Sequence, residues 1–298
     1  MADRATGEAA GVAPVRVLHV SDIHCGHPFV AEHVAAALQV AAASRFDAIV
    51  ISGDFSQRAR VHEFERAREI RDRFNAIAPT LEVPGNHDTA WWHAPFGWGD
   101  AARLHERYRR YINPVLEPVV RLPGVTLVGL NSASGMLPQA VTWYPRDWRV
   151  KGGLTVSQFT WAARELAAAP AGDLRLLVVH HNVVRGRLSH RWGLKQPETA
   201  LDRIAAMGVD VVCTGHDHEE RAEVVERATG KFVVSAANTL SCRMRQRRPS
   251  ALNVIEATAG EVTVRVWGYR DGAFVPGPMS ATLDRRRSSL TSAGHGIS

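Results

Sequence analysis

Short apolar runs alternate along the chain with longer stretches of helical periodicity. The runs are rich in β-branched residues or leucine and are bounded by glycine, proline or polar residues, which is typical of strands buried on both faces. They cover residues 15–20, 48–51, 81–83, 126–130, 174–179 and 209–213. The helical patterns cover residues 30–42, 61–74, 157–168 and 199–207. Ser157 marks the start of the third pattern, and Gly208 follows the end of the fourth as a C-cap. This alternation predicts an α/β fold.

The pattern changes after Gly215, where consecutive strands with tight turns are predicted. They cover residues 222–226, 232–236, 252–256 and 261–269. We expect these strands to form a second sheet packed on the first, with helices outside both. Residues 15–284 are predicted to be one domain. Residues 1–14 and 285–298 are predicted to be disordered, because large apolar side chains are few in both.

Residues 89–115 are rich in aromatic side chains and have no clean period until about Ala101. The segment contains Trp91, Trp92, His93, Phe96, Trp98, His105, Tyr108 and Tyr111. One interpretation is a surface loop and helix that pack their aromatic rings on the core. The other is a cap that faces a substrate, since the segment follows directly on a candidate site. Both interpretations stay open.

Composition limits the class of protein. A chain of 298 residues with 45% apolar content buries a large core. It has no apolar stretch long enough for a transmembrane helix, and its first residues lack a signal-peptide pattern. Its three cysteines have no framework spacing, which suits a reducing compartment. We therefore expect a cytoplasmic protein.

The net charge of +6 is concentrated in two arginine clusters. They are Arg243, Arg245, Arg247 and Arg248, and Arg285, Arg286 and Arg287. These seven arginines exceed the net charge, so the rest of the chain is near neutral and lacks the broad basic stripe of a duplex-binding protein. A nucleic-acid partner is not favoured. The first cluster is either a solvated loop or a phosphate contact, and Arg243 and Arg245 are candidate substrate-binding residues.

Five short polar blocks follow predicted strands. They are Ser21-Asp22-Ile23-His24, Gly53-Asp54, Gly85-Asn86-His87-Asp88, His180-His181 and Gly215-His216-Asp217-His218. Each block alone is weak, because aspartate and histidine are common in turns. The last block places two imidazoles on the same side of an extended segment, which is a chelating geometry. Together, the blocks predict a cluster of carboxylate, amide and imidazole ligands, which suits Mn²⁺, Fe or Zn²⁺ better than Ca²⁺.

The order and the residue types of the blocks resemble the sequence pattern of the calcineurin-like metallophosphoesterase superfamily. Its pattern is Asp-x-His, Gly-Asp, Gly-Asn-His-Asp/Glu, a later His and Gly-His-x-His, and the resemblance spans about residues 16–270. It implies a four-layer α/β/β/α sandwich of two mixed sheets. The chain looks most similar to the bacterial cyclic-AMP phosphodiesterase-like (class III) branch. That likeness lies in Pro84 to Asp88, Gly129-Leu130-Asn131-Ser132, Gly152-Gly153-Leu154 and the segment from Asn238 to Arg245.

The resemblance implies a site with two metal ions. Asp22, His24 and His218 would hold the first ion, and Asn86, His180 and His216 the second. Asp54 would bridge both, together with a water or hydroxide that attacks the phosphorus in line. His87 would stay unligated and act on the substrate. Asp88 either orients His87 or caps a turn, and His181 either lines the substrate pocket or packs under the sheet.

The chain departs from the family pattern at three places. Asn182 follows the paired histidines where a proline is usual, no acidic residue follows Asp54 closely, and Cys25 follows His24 as a small buried neighbour. None of these changes removes a ligand. His27, His33, His62 and His105 have no evident partner and are predicted to be surface residues.

The predicted function is hydrolysis of a small phosphodiester such as a 3′,5′-cyclic nucleotide. A lipid-linked or nucleotide-sugar phosphoester hydrolase would use the same metals, with Trp91, Trp92, Phe96 and Trp98 touching acyl chains or a membrane surface. A nuclease is less favoured because the basic residues are local. A non-catalytic scaffold is expected to lose ligands, and here all of them are present. No oligomeric state is predicted.

Overall fold

The computed structural model describes residues 13–90, 101–133, 151–241 and 249–285. The strands in these ranges are, in chain order, β1 (Val15–Val20), β2 (Ala48–Ile51), β3 (Thr80–Glu82), β4 (Val119–Leu122), β5 (Val125–Leu130), β6 (Leu174–Val179), β7 (Val211–Thr214), β8 (Arg221–Arg227), β9 (Gly230–Ala236), β10 (Ala251–Ala257), β11 (Glu261–Arg270) and β12 (Ala273–Asp284). The helices are α1 (Ala31–Ala43), α2 (Val61–Asn75), α3 (Ala101–Leu104), α4 (Glu106–Tyr111), α5 (Val156–Ala167) and α6 (Pro197–Ala206), with a 3₁₀ turn at Asn86–Asp88. None of the helices described in these ranges is long and apolar enough to cross a bilayer.

Within these ranges the strands form two six-stranded mixed sheets. The first has the order β12-β11-β10-β1-β2-β3, and the second β4-β5-β6-β7-β9-β8. In the first, β1, β2 and β3 run parallel and β10 joins β1 antiparallel. In the second, β5, β6, β7 and β9 run parallel between antiparallel edge strands. The predicted α/β fold of two mixed sheets is confirmed.

Three apolar cores separate four layers. Side chains alternate along each strand, so Leu18 and Val20 of β1 pack with α1 and α2, while Val17 faces the other sheet. The core between the sheets includes Val50 and Leu176. A third core packs α5 and α6 on the outer face of the second sheet. The order of layers is therefore helix, sheet, sheet, helix.

The prediction that the C-terminal strands form a separate sheet is wrong. β8 and β9 extend the sheet of β4 to β7, whereas β10, β11 and β12 extend the sheet of β1 to β3. β10 pairs with β1 along its length, from Val15 opposite Ala257 to His19 opposite Asn253. Pairing between segments so distant in sequence leaves no local pattern.

Two strands and one helix start were not predicted. β4 and β12 lie at sheet edges, and β12 contains Pro276, Gly277 and Pro278, which are tolerated there and obscure a strand pattern. The cap of α5 is Thr155 rather than Ser157. Its Oγ1 accepts the backbone N–H of Gln158 at 3.2 Å, and the Gln158 Oε1 accepts the N–H of Thr155 at 2.7 Å, which is a capping box.

One residue predicted to lie in the disordered tail and one predicted to lie at the surface are packed against the domain instead. Arg285, the first residue of the predicted C-terminal tail, is partly buried, and its side chain is 8% exposed and donates to the carbonyls of Gly172 and Asp173 at 3.0 and 2.7 Å. His105 is 4% exposed and lies beside Asn131. The Tyr108 ring is also buried and lies against Phe55. The described part of the 89–115 segment thus packs on the core, and Trp91, Trp92, Phe96 and Trp98 lie outside the described residues.

Candidate metal centre

Polar turns after β1, β2, β3, β6 and β7 meet at one edge of the two sheets. Parallel strands bring their carboxyl ends to the same edge, so the turns that follow them gather there. The turns after β1 and β2 are joined by backbone hydrogen bonds, from Asp22 N to Gly53 O at 3.0 Å and from His24 N to Asp54 O at 2.9 Å. All five polar blocks therefore lie at this one edge of the two sheets.

The first group of converging side chains is Asp22, His24, Asp54 and His218. Each offers one ligand atom, and these atoms lie within 4.8 Å of one another in a fully buried cluster. The Nε2 of His218 lies 3.1 Å from Asp22 Oδ1, and the Nε2 of His24 lies 3.6 Å from Asp22 Oδ1 and from Asp54 Oδ2. Carboxylate and imidazole atoms at these separations suit one divalent ion.

The second group shares Asp54 with the first. Asp54 Oδ2 lies 3.4 Å from His180 Nε2. Asn86 Oδ1 lies 3.2 Å from His180 Nε2 and 2.9 Å from His216 Nδ1. The seven side chains predicted as ligands are therefore brought together in two groups with one carboxylate oxygen in common.

The backbone at five of these seven residues is left-handed. The φ values are 52° at Asp22, 48° at His24, 54° at Asp54, 72° at His216 and 51° at His218. Such a conformation is uncommon for residues other than glycine and costs on the order of 1–3 kcal/mol where it is strained. It persists only where the surrounding structure determines it, and such residues concentrate at ligand clamps.

Backbone carbonyls orient the imidazoles of the site. His180 Nδ1 lies 2.7 Å from the Ser52 carbonyl, and His24 Nδ1 lies 3.3 Å from the Ser56 carbonyl. A carbonyl accepts only from a protonated nitrogen, so it fixes Nδ1–H and directs the Nε2 lone pair into the cluster. This is the usual arrangement behind metal-binding histidines.

Asp88 holds two of the polar turns together. Its carboxylate accepts the backbone N–H groups of Gly85 at 2.9 Å, Ser56 at 2.8 Å and Phe55 at 3.2 Å. Burial, and then the nearby Asp54 carboxylate, raise the pKa of Asp88 to about 7. Of the two roles left open by the sequence, the hydrogen bonds favour the turn, because they tie the Asp54 turn to the Asn86 turn.

The cluster has the electrostatics of a cation site. Burial alone would raise the pKa of Asp54, but the imidazoles of His180, His87 and His24 hold this pKa well below its usual range. The same pairing raises the pKa of His180 to about 9, against the effect of burial. Asp22 Oδ1 is buried and accepts no hydrogen bond from any residue in the described part of the chain. A buried, ionised oxygen beside two imidazole nitrogens fits a metal ligand.

His87 lies beside the cluster and is partly exposed. Its backbone N–H donates to Asp54 Oδ1 at 2.8 Å, and its Nδ1 lies 2.7 Å from the Gln57 carbonyl. The ring meets that of His24 edge-on, with centroids 4.8 Å apart. Nδ1 is thus occupied by a fixed acceptor, which makes Nε2 the nitrogen suited to exchange a proton with a substrate.

His181 is buried beside the candidate ligand His216, with ring centroids 4.5 Å apart. It is 1% exposed, and its Nδ1 lies 2.8 Å from Ser132 Oγ. Gly152 packs directly on the ring, where a Cβ atom would collide with it. Cys25 is buried, as predicted. Arg243 and Arg245 lie outside the described residues.

Apart from Asp88, most residues that support the ligands could not be recognised from the sequence. Ser52, Ser56 and Gln57 act through backbone carbonyls, which every residue type carries. Ser21 is different, because its Oγ lies 2.6 Å from Asp22 Oδ2. A serine directly before a candidate ligand is a signal that sequence analysis could have used.

Solved structures share this fold. Purple acid phosphatase PPD1 from yellow lupin (Lupinus luteus) seeds has a TM-score of 0.59 at 12% identity, over 91% of this chain and 54% of that chain. PhoD has a TM-score of 0.58 at 13% identity, over 92% and 69%. GAP50, the anchor in the inner membrane complex of Plasmodium, has a TM-score of 0.56 at 12% identity, over 93% and 91%. The chain spans about half the length of the lupin protein, and likeness at these identities shows the fold alone.

Sequence comparison identifies the family. No curated protein sequence matches the chain. The family model for calcineurin-like phosphoesterase matches residues 15–220, well over half of the chain, and that range contains the seven clustered side chains and His87. The chain belongs to the calcineurin-like phosphoesterase family, and its buried Asp and His cluster fits a divalent metal pair.

Proposed function

We propose that this protein is a phosphodiesterase that hydrolyses a small phosphodiester such as a 3′,5′-cyclic nucleotide. The observation that carries the proposal is the convergence of seven ligand side chains on two positions that share Asp54 Oδ2. When bound, two divalent ions (Mn, Fe or Zn) supply Lewis acidity toward the phosphoryl oxygens and activate water near neutral pH. Asp22, His24 and His218 would hold the first ion, Asn86, His180 and His216 would hold the second, and Asp54 would contact both.

With two divalent ions bound, the charge balance of the site would favour a phosphate anion. Asp22 and Asp54 bring two negative charges, fewer than the positive charges of two divalent ions. The remaining ligands are neutral imidazoles and one amide, so a net positive charge is left to attract the substrate. Five of the seven ligand residues are buried, and charges in such a site act with little screening.

His87 is the proposed general acid. Its backbone N–H is fixed on Asp54 and its Nδ1 on the Gln57 carbonyl, so the ring is held at the border of the cluster. We assign Nε2 the transfer of a proton to the oxygen that leaves the phosphorus. Positioned proton transfer of this kind contributes roughly 10²–10⁴-fold in rate.

A small diester is favoured over other substrates by two features. Pro84 to Asp88, Gly129 to Ser132 and Gly152 to Leu154 resemble the cyclic-nucleotide branch of the superfamily. The near-neutral charge outside the arginine clusters supplies no extended surface for a nucleic acid. The substrate is therefore a small molecule, and Arg243 and Arg245 are proposed to contact its phosphate.

A substrate screen with matched variants tests this proposal. Purified protein is supplied with Mn²⁺, Fe²⁺ or Zn²⁺ and offered 3′,5′-cyclic AMP, bis(p-nitrophenyl) phosphate, p-nitrophenyl phosphate and detergent-dispersed phospholipid. We expect hydrolysis of both diesters, abolished in Asp54→Asn. Activity on dispersed lipid without activity on cyclic AMP would move the function to lipid phosphoesters. Inactivity on every substrate, with metal binding unchanged in Asp54→Asn, would overturn the proposal.

A further inference from the structure

A buried histidine outside the seven ligands lies directly beneath them. His19 is on β1, two residues before Ser21, and is fully buried. Its neighbours Leu18 and Val20 belong to the core under the helices, so His19 projects into the layer between the two sheets. That layer is otherwise mostly apolar, and a buried imidazole in it needs a partner for each ring nitrogen.

Two serine hydroxyls supply these partners, one from each sheet. His19 Nδ1 lies 2.8 Å from the Oγ of Ser235 on β9, and Nε2 lies 2.9 Å from the Oγ of Ser52 after β2. Asn253 on β10 completes the network, because its Nδ2 donates to Ser235 Oγ and to the Ala236 carbonyl, both at 2.9 Å. A neutral imidazole has one donor and one acceptor, which matches a hydroxyl on each side. Burial also lowers the pKa of His19 to about 3, despite the nearby Asp22.

Ser52 connects this network to both groups of ligands. Its carbonyl accepts His180 Nδ1–H at 2.7 Å. The same carbonyl lies 3.3 Å from Ser21 Oγ, which is 2.6 Å from Asp22 Oδ2. The side chain of Ser52 meets His19 and its backbone meets His180, so a displacement of His19 is transmitted to the ring of a predicted ligand.

We infer that His19 is a positioning residue of the metal centre, which fixes Ser52 and thereby the direction of His180 Nε2. The inference rests on the metal centre of the proposed function. Hydrogen-bonding partners behind metal ligands typically change metal affinity by about 10–100-fold when they are removed. The loss of affinity should fall on the ion that His180 would hold. The Ser52 carbonyl lies 2.7 Å from His180 Nδ1, whereas it reaches Asp22 only through Ser21 Oγ at 3.3 Å.

Calorimetric titration with Mn²⁺ tests the inference in the full chain. His19→Leu removes both ring contacts, and we expect one of the two binding steps to weaken by about 10–100-fold. His19→Gln, whose amide offers a donor and an acceptor, should recover part of that loss. Thr126→Val is the matched control, because Thr126 is fully buried and donates to Asp173 Oδ2 at 2.8 Å near the start of β5, away from the ligand turns. It should lose stability and keep both affinities.

The outcomes separate this inference from the proposed function. Wild-type protein that binds no Mn²⁺ overturns the metal centre, and the role of His19 with it. A different result overturns the role of His19 alone. In it, wild-type protein binds two ions, and His19→Leu binds both as tightly as wild type and loses only stability, as Thr126→Val does. If His19→Leu does not fold, Ser235→Ala replaces it, since this variant removes one hydroxyl and touches no ligand. Unchanged affinities in Ser235→Ala overturn the inference equally.

Discussion

The Nε2 atoms of His24 and His218 lie 3.0 Å apart, although the two residues are separated by most of the domain in sequence. Both nitrogens also lie near Asp22 Oδ1, at 3.6 and 3.1 Å. Two imidazole nitrogens and a carboxylate oxygen that converge on one point have the arrangement of ligands to one shared cation.

Removing His218 should therefore weaken the binding of one ion and leave the binding of the other unchanged. We expect one Mn²⁺ binding step of His218→Ala to weaken by at least roughly 100-fold. Removing a hydrogen-bonding partner behind a ligand weakens affinity by up to about 100-fold, and removing a ligand itself should cost at least as much. Mn²⁺ titration checks this, with His62→Ala as a control at an exposed histidine. Equal weakening of both steps, or of neither, would contradict the assignment of His218 to the first ion.

Gly85 should tolerate no side chain. A Cβ atom there would collide with the Asp54 carboxylate and with the Asp54 backbone nitrogen. Gly85→Ala is expected to displace the shared carboxylate and to lower metal content, whereas Gly260→Ala, which has open space around it, should behave as wild type. Metal analysis after gel filtration distinguishes the two. A Gly85→Ala protein with full metal content would show that the Asp54 turn adjusts freely.

His87→Ala should slow hydrolysis without removing metal. The substitution keeps the backbone N–H that donates to Asp54 Oδ1 and removes only the imidazole. We expect a loss of roughly 10²–10⁴-fold for a diester with an alkyl leaving group. The loss should be smaller for bis(p-nitrophenyl) phosphate, whose leaving group departs without a proton. Equal losses on both substrates would contradict a general-acid role.

His105 should make the fold less stable as the pH falls. Burial, and then Arg109, lower its pKa from 6.5 to about 4, so the folded state keeps it neutral while the unfolded state takes up a proton below pH 6.5. Stability is then complete above pH 7 and is lost between about pH 6.5 and 4, by up to about 1.4 kcal/mol per pH unit.

Urea unfolding of metal-free protein between pH 7.5 and 4.5 measures this loss. His105→Gln can still accept the hydrogen bond from Asn131. Its free energy of unfolding should fall less steeply with decreasing pH than that of wild type, by a slope that corresponds to the uptake of close to one proton. His62→Gln, at an exposed position, should follow wild type. A decline in His105→Gln as steep as in wild type would mean that other groups cause the loss.

The convergence of the candidate ligands could be predicted because their polar blocks come after strands and carry the chemistry in their side chains, whereas their division between two ions is what the family resemblance implies. Asp22, Asp54 and His180 come at the ends of β1, β2 and β6, which the apolar runs had located. The parallel course of neighbouring strands then places these residues at one edge. Local sequence therefore determined both the strands and the residues that follow them.

The remainder depended on contacts between distant residues. The pairing of β10 with β1 brings Asn253 beside His19, and neither residue has a neighbour in sequence that indicates it. The buried His105 has its hydrogen-bond partner in Asn131, which follows β5 and is 26 residues away in sequence. The carbonyls of Ser52 and Gln57 support His180 and His87 through backbone atoms. None of these relationships leaves a periodicity or a composition that sequence analysis can detect.

The two-ion centre is tested most directly by the metal content of wild-type protein and of Asp54→Ala, measured by mass spectrometry after purification in buffer that contains Mn²⁺. Asp54 Oδ2 is the atom common to both groups, at 3.6 Å from His24 Nε2 and 3.4 Å from His180 Nε2. A centre of two ions that share Asp54 predicts close to two ions per chain in wild type and a loss from both positions in Asp54→Ala. Fewer than one ion per wild-type chain, or equal content in the two proteins, would contradict it.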